Sequence, residues 1–582
     1  MNEKTDCVKQ LLGRLFWGFP LFFLVDNILG FNGYQFTIMG KSIRMILFCI
    51  TTALLFGYCV YIVYNQKISL LPCGSNEKTI YRMLKPLDYC VLLFILCNAL
   101  WATVIPLAVR GEMTYSLKDF STILVLVLYF PLTFLIRTNK LNFLRLDNII
   151  YGLIICLAGW HVIMYVGDVL KPGFYGSYYD FIDWISFGTA VRTPVVYGFG
   201  IVRIIQTTSL FLLPGFFMSL HKVLNGKYIH FLPLALFVFA ICTTFTKSIW
   251  FGCLCGALLY LVLAPLVSRN RIVFIRAIAS IAAIIVLVCG LDMIVFEGSV
   301  FQRATNTFTT PDNVDQMRDE LDNLWLELYI QKQQAPSTTT SVITTEDISK
   351  ETDAAMENSS SVENTLSPSE TEETPEATTN HSSVENTLSP SETEETPETT
   401  TNHSSAEDTL SPSETGKPSE ATTSAAPQET EPIDSVIQGL EQQIENKTNA
   451  IKDAVGTQAA NQTRAEQNRA LVEKWSLSKW IGFGYGAYCE NLIRNATAPF
   501  MYESTLPALL MKVGIVGGLV WIILIMGATI TAFIVFWKKN RMDVFWWLGL
   551  ALSYAMAVQT NSFLFTFAGF SILLYLLISM QN

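Results

Sequence analysis

Charge is what this chain has least of. Asp, Glu, Lys and Arg make up 15% of its 582 residues, whereas 51% are hydrophobic. A water-soluble fold of that composition would expose sticky apolar surface, so a soluble globular protein is excluded and a chain solvated by lipid is expected. A cleavable leader is not expected, because the N-terminal apolar run ends in no small-residue cleavage site and reads as a retained span. The 12 cysteines form no disulfide framework and no zinc spacing. Most, such as Cys49, Cys59, Cys242, Cys253 and Cys255, fall inside apolar runs, where a thiol packs as a small hydrophobe. No metal, no cofactor and no nucleic-acid partner is expected.

The formal charge of −10 comes from one place. Between Glu351 and Glu420 there are 17 acids and the single base Lys417, a charge of −16 that leaves the rest of the chain at +6. A mildly basic membrane body suits anionic headgroups and anionic lipid carriers.

Long apolar runs are what the chain has most of. Segments of spanning length lie near 12–31, 43–65, 88–109, 120–136, 147–166 and 195–219, then near 229–246, 248–267, 272–296, 504–537, 543–560 and 563–580. Basic residues fall in every second connection, among them Arg137/Lys140/Arg145, Lys222/Lys227 and Arg269/Arg271/Arg276. By the positive-inside rule this predicts an all-α polytopic membrane protein of about 12 transmembrane helices, with both termini cytoplasmic. Spans 1–9 occupy residues 1–296, a large external loop covers 297–503, and spans 10–12 occupy 504–582. Asp26 and Asp88 lie near span ends, where neighbouring cations can pair with them.

The loop has three parts. A 22-residue unit begins at Ser360 and recurs at Ser382 and, degraded, at Ser404. This acidic Ser/Thr/Glu/Pro stretch, about 336–432, has too few large apolar residues to offset its ordering entropy and is expected to be a disordered tether. Residues 313–333 and 433–480 carry apolar residues at helical spacing and are expected to be helices.

Four features fall on the outer side of this topology. Thr246-Lys247-Ser248-Ile249-Trp250 sits at a tight hairpin between two spans. Asn468-Arg469 precedes Trp475, Trp480 and the turn Gly482-Phe483-Gly484-Tyr485-Gly486. Tyr502-Glu503-Ser504-Thr505-Leu506 leads into Leu509-Leu510-Met511-Lys512-Val513-Gly514-Ile515-Val516-Gly517. Gln559-Thr560-Asn561-Ser562-Phe563 marks the outer end of the last hairpin. Together these resemble the bacterial O-antigen polymerase/ligase family. Lys247 stands where an Arg is usual, Ser562 where a Pro is common, and Glu503 where ligases carry His and many polymerases carry Glu.

The resemblance implies a GT-C-like helical fold in the bacterial cytoplasmic membrane. It also implies glycosyl transfer from a polyprenyl-pyrophosphate-linked oligosaccharide to an acceptor sugar outside the cell. Implied partners are that donor, membrane lipids, and chain-length-regulator and flippase proteins. Cations hold the pyrophosphate leaving group as charge develops on it. A carboxylate takes the proton of the attacking hydroxyl, and direct in-line attack inverts the anomeric carbon without a metal. The catalytic candidates are Glu503, Arg469, Lys247 and Arg203, the last an Arg within an apolar run, where an unpaired guanidinium is costly. Substrate-binding candidates are Arg303, Arg192, Ser248, Tyr485 and Asn561. A helix-terminal acid favoured by the dipole is the plain alternative for Glu503. Glu503 points to a polymerase of repeat units. A ligase for the finished glycan uses the same donor, and a flippase or other transporter is the alternative of another class.

Overall fold

The structure, a computed structural model, describes residues 37–38, 41–68, 83–109, 111–171, 173–174, 177–178, 195–198, 201–204, 207–268, 271–296, 300–301, 311–334, 433–493, 498–539, 543–559 and 562–580. The first expected span, Asp26 and the acidic repeat lie outside them. The described residues are predominantly helical, with two short antiparallel hairpins.

The membrane helices in chain order are α1 (Ile43–Asn65), α2 (Pro86–Ala108), α3 (Met113–Phe120), α4 (Tyr129–Arg137) and α5 (Phe143–Leu170). They are followed by α6 (Leu212–Leu224), α7 (Phe231–Thr243), α8 (Lys247–Ser268) and α9 (Arg271–Ile294). After the loop helices α10 (Pro311–Gln334) and α11 (Ile433–Ser476) come α12 (Thr505–Lys539), α13 (Asp543–Gln559) and α14 (Phe567–Ser579). Among the described residues six helices are long and apolar enough to cross a membrane: α1, α2, α5, α8, α9 and α12. The pair α3 and α4, joined through a 3-10 turn and bent by 42°, makes a seventh if it counts as one span. The apolar helices α6, α7, α13 and α14 are shorter. On α9, Phe274, Ile275, Ile278, Ile285 and Val286 all point away from the protein. An apolar face of that extent belongs in lipid. The chain is therefore a multi-pass membrane protein.

One expected span takes another form. Residues 195–219 begin as a hairpin of β1 (Val195–Gly198) and β2 (Ile201–Ile204), with Val196 opposite Arg203. A 3-10 turn over Thr207–Phe211 then leads into α6. Val and Ile on both sides of Gly198-Phe199-Gly200 favour a tight hairpin, and hydropathy alone does not distinguish it from a helix.

Two devices hold the membrane helices together. Asp88 accepts the Lys85 amide at 2.7 Å at the start of α2. Its carboxylate also accepts both terminal guanidinium nitrogens of Arg137 at 2.6 and 2.8 Å and the Tyr129 hydroxyl at 2.7 Å, which ties α2 to α4. Helices α8 and α13 touch backbone to backbone. A Cβ on Gly256 would lie 2.2 Å from the Gly549 carbonyl oxygen, so only glycine permits that approach.

The chain divides into two compact units, one of residues 1–318 with 447–582 and one of residues 319–446. In the second, Leu321 and Leu328 on α10 and Leu440 and Ile444 on α11 are buried at helical spacing. Lys332 meets Glu441 at 2.8 Å there, a half-exposed pair worth little by itself.

Candidate functional site

Helix α12 starts at Thr505, just after the candidate Glu503, and breaks nine residues further on. Gly514 adopts φ 64° and ψ −169°, which interrupts the helical hydrogen-bond ladder. The Gly-rich turn repairs the break. Phe483 and Gly484 donate their amides to the carbonyls of Met511 and Lys512 at 3.0 and 2.8 Å. In return, Ile515 and Val516 donate to the carbonyls of Lys479 and Trp480 at 2.9 and 3.0 Å. Trp101 Nε1 and the Tyr485 amide fasten the same strip to α2 at 2.6 and 3.1 Å. Backbone groups freed inside a membrane protein must find such partners. Gly482, Gly484 and Gly486 all have positive φ, and a Cβ on Gly482 would lie 2.5 Å from the Lys512 carbonyl oxygen. The glycines are there because the strip lies flat against a broken helix.

Beneath the strip sits a buried ion pair. Lys512 Nζ on α12 lies 2.6 Å from Asp119 Oδ2 at the end of α3, and both side chains are fully buried. The same carboxylate accepts the Gly486 amide at 3.0 Å, while Oδ1 has no partner among the described residues. Rings of Phe565 and Phe500 flank the ammonium at 4.1 and 5.4 Å. Two interrupted helices, α3–α4 and α12, thus meet at one charge pair.

Glu503 stands at the start of α12, about one-third exposed. Its carboxylate pairs with Arg464 Nε at 2.8 Å, and the amides of Glu503 and Ser504 both donate to buried Gln467 Oε1 at 3.1 and 3.3 Å. Arg464, Gln467 and the fully buried Leu471 share one face of α11. Arg469, the cation expected from sequence, lies on the opposite face. It is 84% exposed and pairs with Glu473 at 2.9 Å along its own helix. Nearby, the Cys489 amide donates to the buried Tyr502 hydroxyl at 2.5 Å.

The other candidates are dispersed. Tyr485 is 1% exposed, with its hydroxyl on Asn98, so it is packed inside the protein rather than open to a sugar. Lys247 and Ser248 are half-buried on the first turn of α8. Arg203 belongs to the β1–β2 hairpin through its backbone, and its side chain lies outside the described atoms. Arg192, Arg303 and Asn561 lie outside the described residues. An apolar cavity of about 250 Å³, lined by residues such as Leu55, Leu128, Leu157, Phe211, Ile572 and Tyr575, is formed by other elements and holds no part of this junction.

Two of the four sequence features therefore interlock, the Gly-rich turn and the Glu503–Gly517 segment, and residues flanking the last hairpin feature touch the second of them. The contacts run through Phe565 and through the Thr505 hydroxyl on the Val558 carbonyl. Arg464, Gln467, Asp119 and Lys512 were not singled out from sequence. The cost of an intramembrane charge, applied to Arg203, applies equally to Lys512 in its leucine-rich run.

Burial pushes the Cys489 thiol up, with Lys474 offsetting part of the effect. Less thiolate is then present at neutral pH, and thiolate is the reactive form. Maleimide at pH 7 is expected to label Cys489 only after denaturation, with native labelling rising as pH climbs past the ordinary thiol range. Peptide mapping by mass spectrometry reads this out.

Compared with known proteins, the chain matches no family model, no curated protein and no solved structure.

Proposed function

We propose that this chain is a polymerase that joins polyprenyl-pyrophosphate-linked oligosaccharide repeat units at the outer face of the bacterial cytoplasmic membrane. In this reading twelve spans surround the site in a GT-C-like arrangement, both termini are cytoplasmic and the large loop is outside. The reading rests on the resemblance, and one observation carries it furthest. Segments that resemble the family at separate places in the sequence interlock around the start and the break of α12, with the Glu503 carboxylate held by Arg464 at their edge.

The chemistry assigns roles to residues of this chain. Glu503 takes the proton of the acceptor hydroxyl as it attacks the anomeric carbon. Arg464 fixes the carboxylate, and Lys247 with Arg192 and Arg303 neutralises the departing pyrophosphate. The Gly-rich strip and the Asp119–Lys512 pair hold α12 so that Glu503 keeps its place. The runner-up in the same class is a ligase that moves the finished glycan to a lipid or cell-wall acceptor.

A transporter of the lipid-linked unit is favoured by a different observation. Interrupted helices meeting at a buried charge pair are a common design of transport sites. Cells lacking the chain separate the three readings. Surface glycan reduced to single repeat units supports the polymerase. Long chains stranded on the carrier indicate the ligase, and units retained inside indicate the transporter.

The acidic repeat is a spacer in this reading. Deleting residues 345–425 is expected to leave membrane insertion intact and glycan length within about twofold of wild type, a change the size of loop-length effects on closure. Loss of polymer in a correctly inserted deletion, read on a glycan gel, would give the repeat a role of its own.

A further inference from the structure

The opposite end of the helices from Glu503 carries a second charged arrangement. The turn between α6 and α7 gathers cations from three elements. Lys222, in the last turn of α6, lies 3.6 Å over the Tyr151 ring and 3.4 Å from Asn148 Oδ1. Lys227, in the turn itself, is exposed and has no carboxylate partner among the described residues. Arg276 begins on α9 and reaches back to the same turn, as a long side chain does at a membrane boundary. Its Nε donates to the Tyr228 hydroxyl and one terminal nitrogen to the Leu224 carbonyl, both at 3.1 Å. The guanidinium rests 3.0 Å from where a Cβ would stand on Gly226, whose φ of +83° lets the turn close beneath it.

Among the described residues, Lys227 and Arg276 have no carboxylate within ion-pair distance. Asp147 is the acid that faces Lys222, and its Oδ1 accepts the Tyr575 hydroxyl at 2.5 Å. His230 shares the Tyr151 hydroxyl with this cluster, at 3.1 Å.

Apolar groups ring the same turn. Tyr228 is 61% exposed, Ile229 79% and Leu232 75%. Water does not favour large side chains so placed, whereas the boundary between headgroups and acyl chains accommodates them. A positive turn inside an exposed apolar collar matches one kind of molecule, a phosphodiester headgroup joined to hydrocarbon chains.

We propose that the α6–α7 turn, with Lys222, Lys227 and Arg276, is a binding surface for an anionic glycerophospholipid. Its phosphate sits among the three cations, and its acyl chains run along Ile229 and Leu232. The surface is independent of the reaction assigned to the outer face. It gives the membrane domain a fixed lipid at the boundary where α6, α7 and α9 come together.

Native mass spectrometry of the full chain in detergent tests this by titration with phosphatidylglycerol and, separately, phosphatidylcholine. Wild type is expected to retain phosphatidylglycerol at least about tenfold more tightly than phosphatidylcholine. Lys227→Gln is expected to weaken phosphatidylglycerol about fivefold, and Lys227→Gln with Arg276→Gln about 25-fold, at about 1 kcal/mol per cation. Phosphatidylcholine binding should not change. Lys227 is solvent-exposed, so its variant reads binding without disturbing the fold, and an unchanged melting temperature checks this. Equal affinity for the two lipids, or full phosphatidylglycerol binding by the double variant, overturns the proposal. Complete displacement of the lipid by about 10 mM inorganic phosphate, equivalent to a millimolar free-phosphate site, overturns it as well.

Discussion

Glu503→Gln abolishes polymer growth while the protein inserts at its normal level: that is the expected result, with a rate loss of about 10²- to 10⁴-fold, the usual contribution of a general base. The amide keeps the shape of the side chain and a contact with Arg464, so loss of the proton acceptor is the main change. The neighbouring arginines then discriminate between geometry and mere charge. Arg464→Gln, which releases the carboxylate from its 2.8 Å partner, is expected to lower the rate by about tenfold or more, the scale of one charge-assisted hydrogen bond. Arg469→Gln removes an exposed cation paired only along its own helix and is expected to leave the rate within about twofold. The check is the rate of conversion of single repeat units to longer products by equal amounts of each protein. Equal losses in both arginine variants would mean that the loop acts through its overall charge.

Lys512→Met should be the most damaging single change to the membrane domain. It leaves the Asp119 carboxylate buried, still on the Gly486 amide but without its cation, a situation that costs about 3–5 kcal/mol. Against a total stability of about 5–15 kcal/mol, much of the protein would fail to reach or keep the folded state. Asp119→Asn retains an acceptor for Gly486 but leaves the ammonium unpaired, and is expected to cost a comparable amount. Combining them removes both charges and keeps the acceptor. Lys512→Met with Asp119→Asn is therefore expected to be more stable than either single variant. Thermal unfolding in detergent, followed as loss of the monodisperse peak, measures the coupling. Additive single effects would mean that the two charges do not act as a pair.

The two predictions bear on different links of the account. Glu503 concerns the chemistry, while the buried pair concerns the scaffold that places it. A double variant that recovers its stability but not its polymer would show that the junction positions Glu503 as well as supporting the fold.

How much of this was legible in the sequence depends on how local each feature is. Membrane helices are legible because a spanning helix must be apolar along its whole length, and α1, α2, α5, α8, α9 and α12 each overlap an expected run, with ends that differ by up to a few residues. The hairpin at 195–204 was not, because its Val and Ile residues raise hydropathy whether they stand on a strand or a helix. Glu503 was legible as a charge at the start of an apolar run. Arg464 was missed because spacing from the Gly-rich turn selected Arg469, whereas the turn of α11 places 464, 467 and 471 together and sends 469 away. Asp88 paired as its place near a span end suggested, although its partner, Arg137, is set by the bend between α3 and α4. The Asp119–Lys512 pair depends on two helix breaks meeting in space, and sequence periodicity carries no such information. The glycines of the Gly-rich turn approach a broken helix, a contact that the turn's own sequence does not specify.

The most direct test is reconstitution of the purified chain in vesicles with lipid-linked repeat units as the sole substrate. A ladder of products, each longer by one repeat unit and still on the lipid carrier, with none from the Glu503→Gln protein, is the outcome expected of a polymerase. Repeat units that stay single in the presence of correctly inserted wild-type protein, whether or not they cross the bilayer, would contradict it.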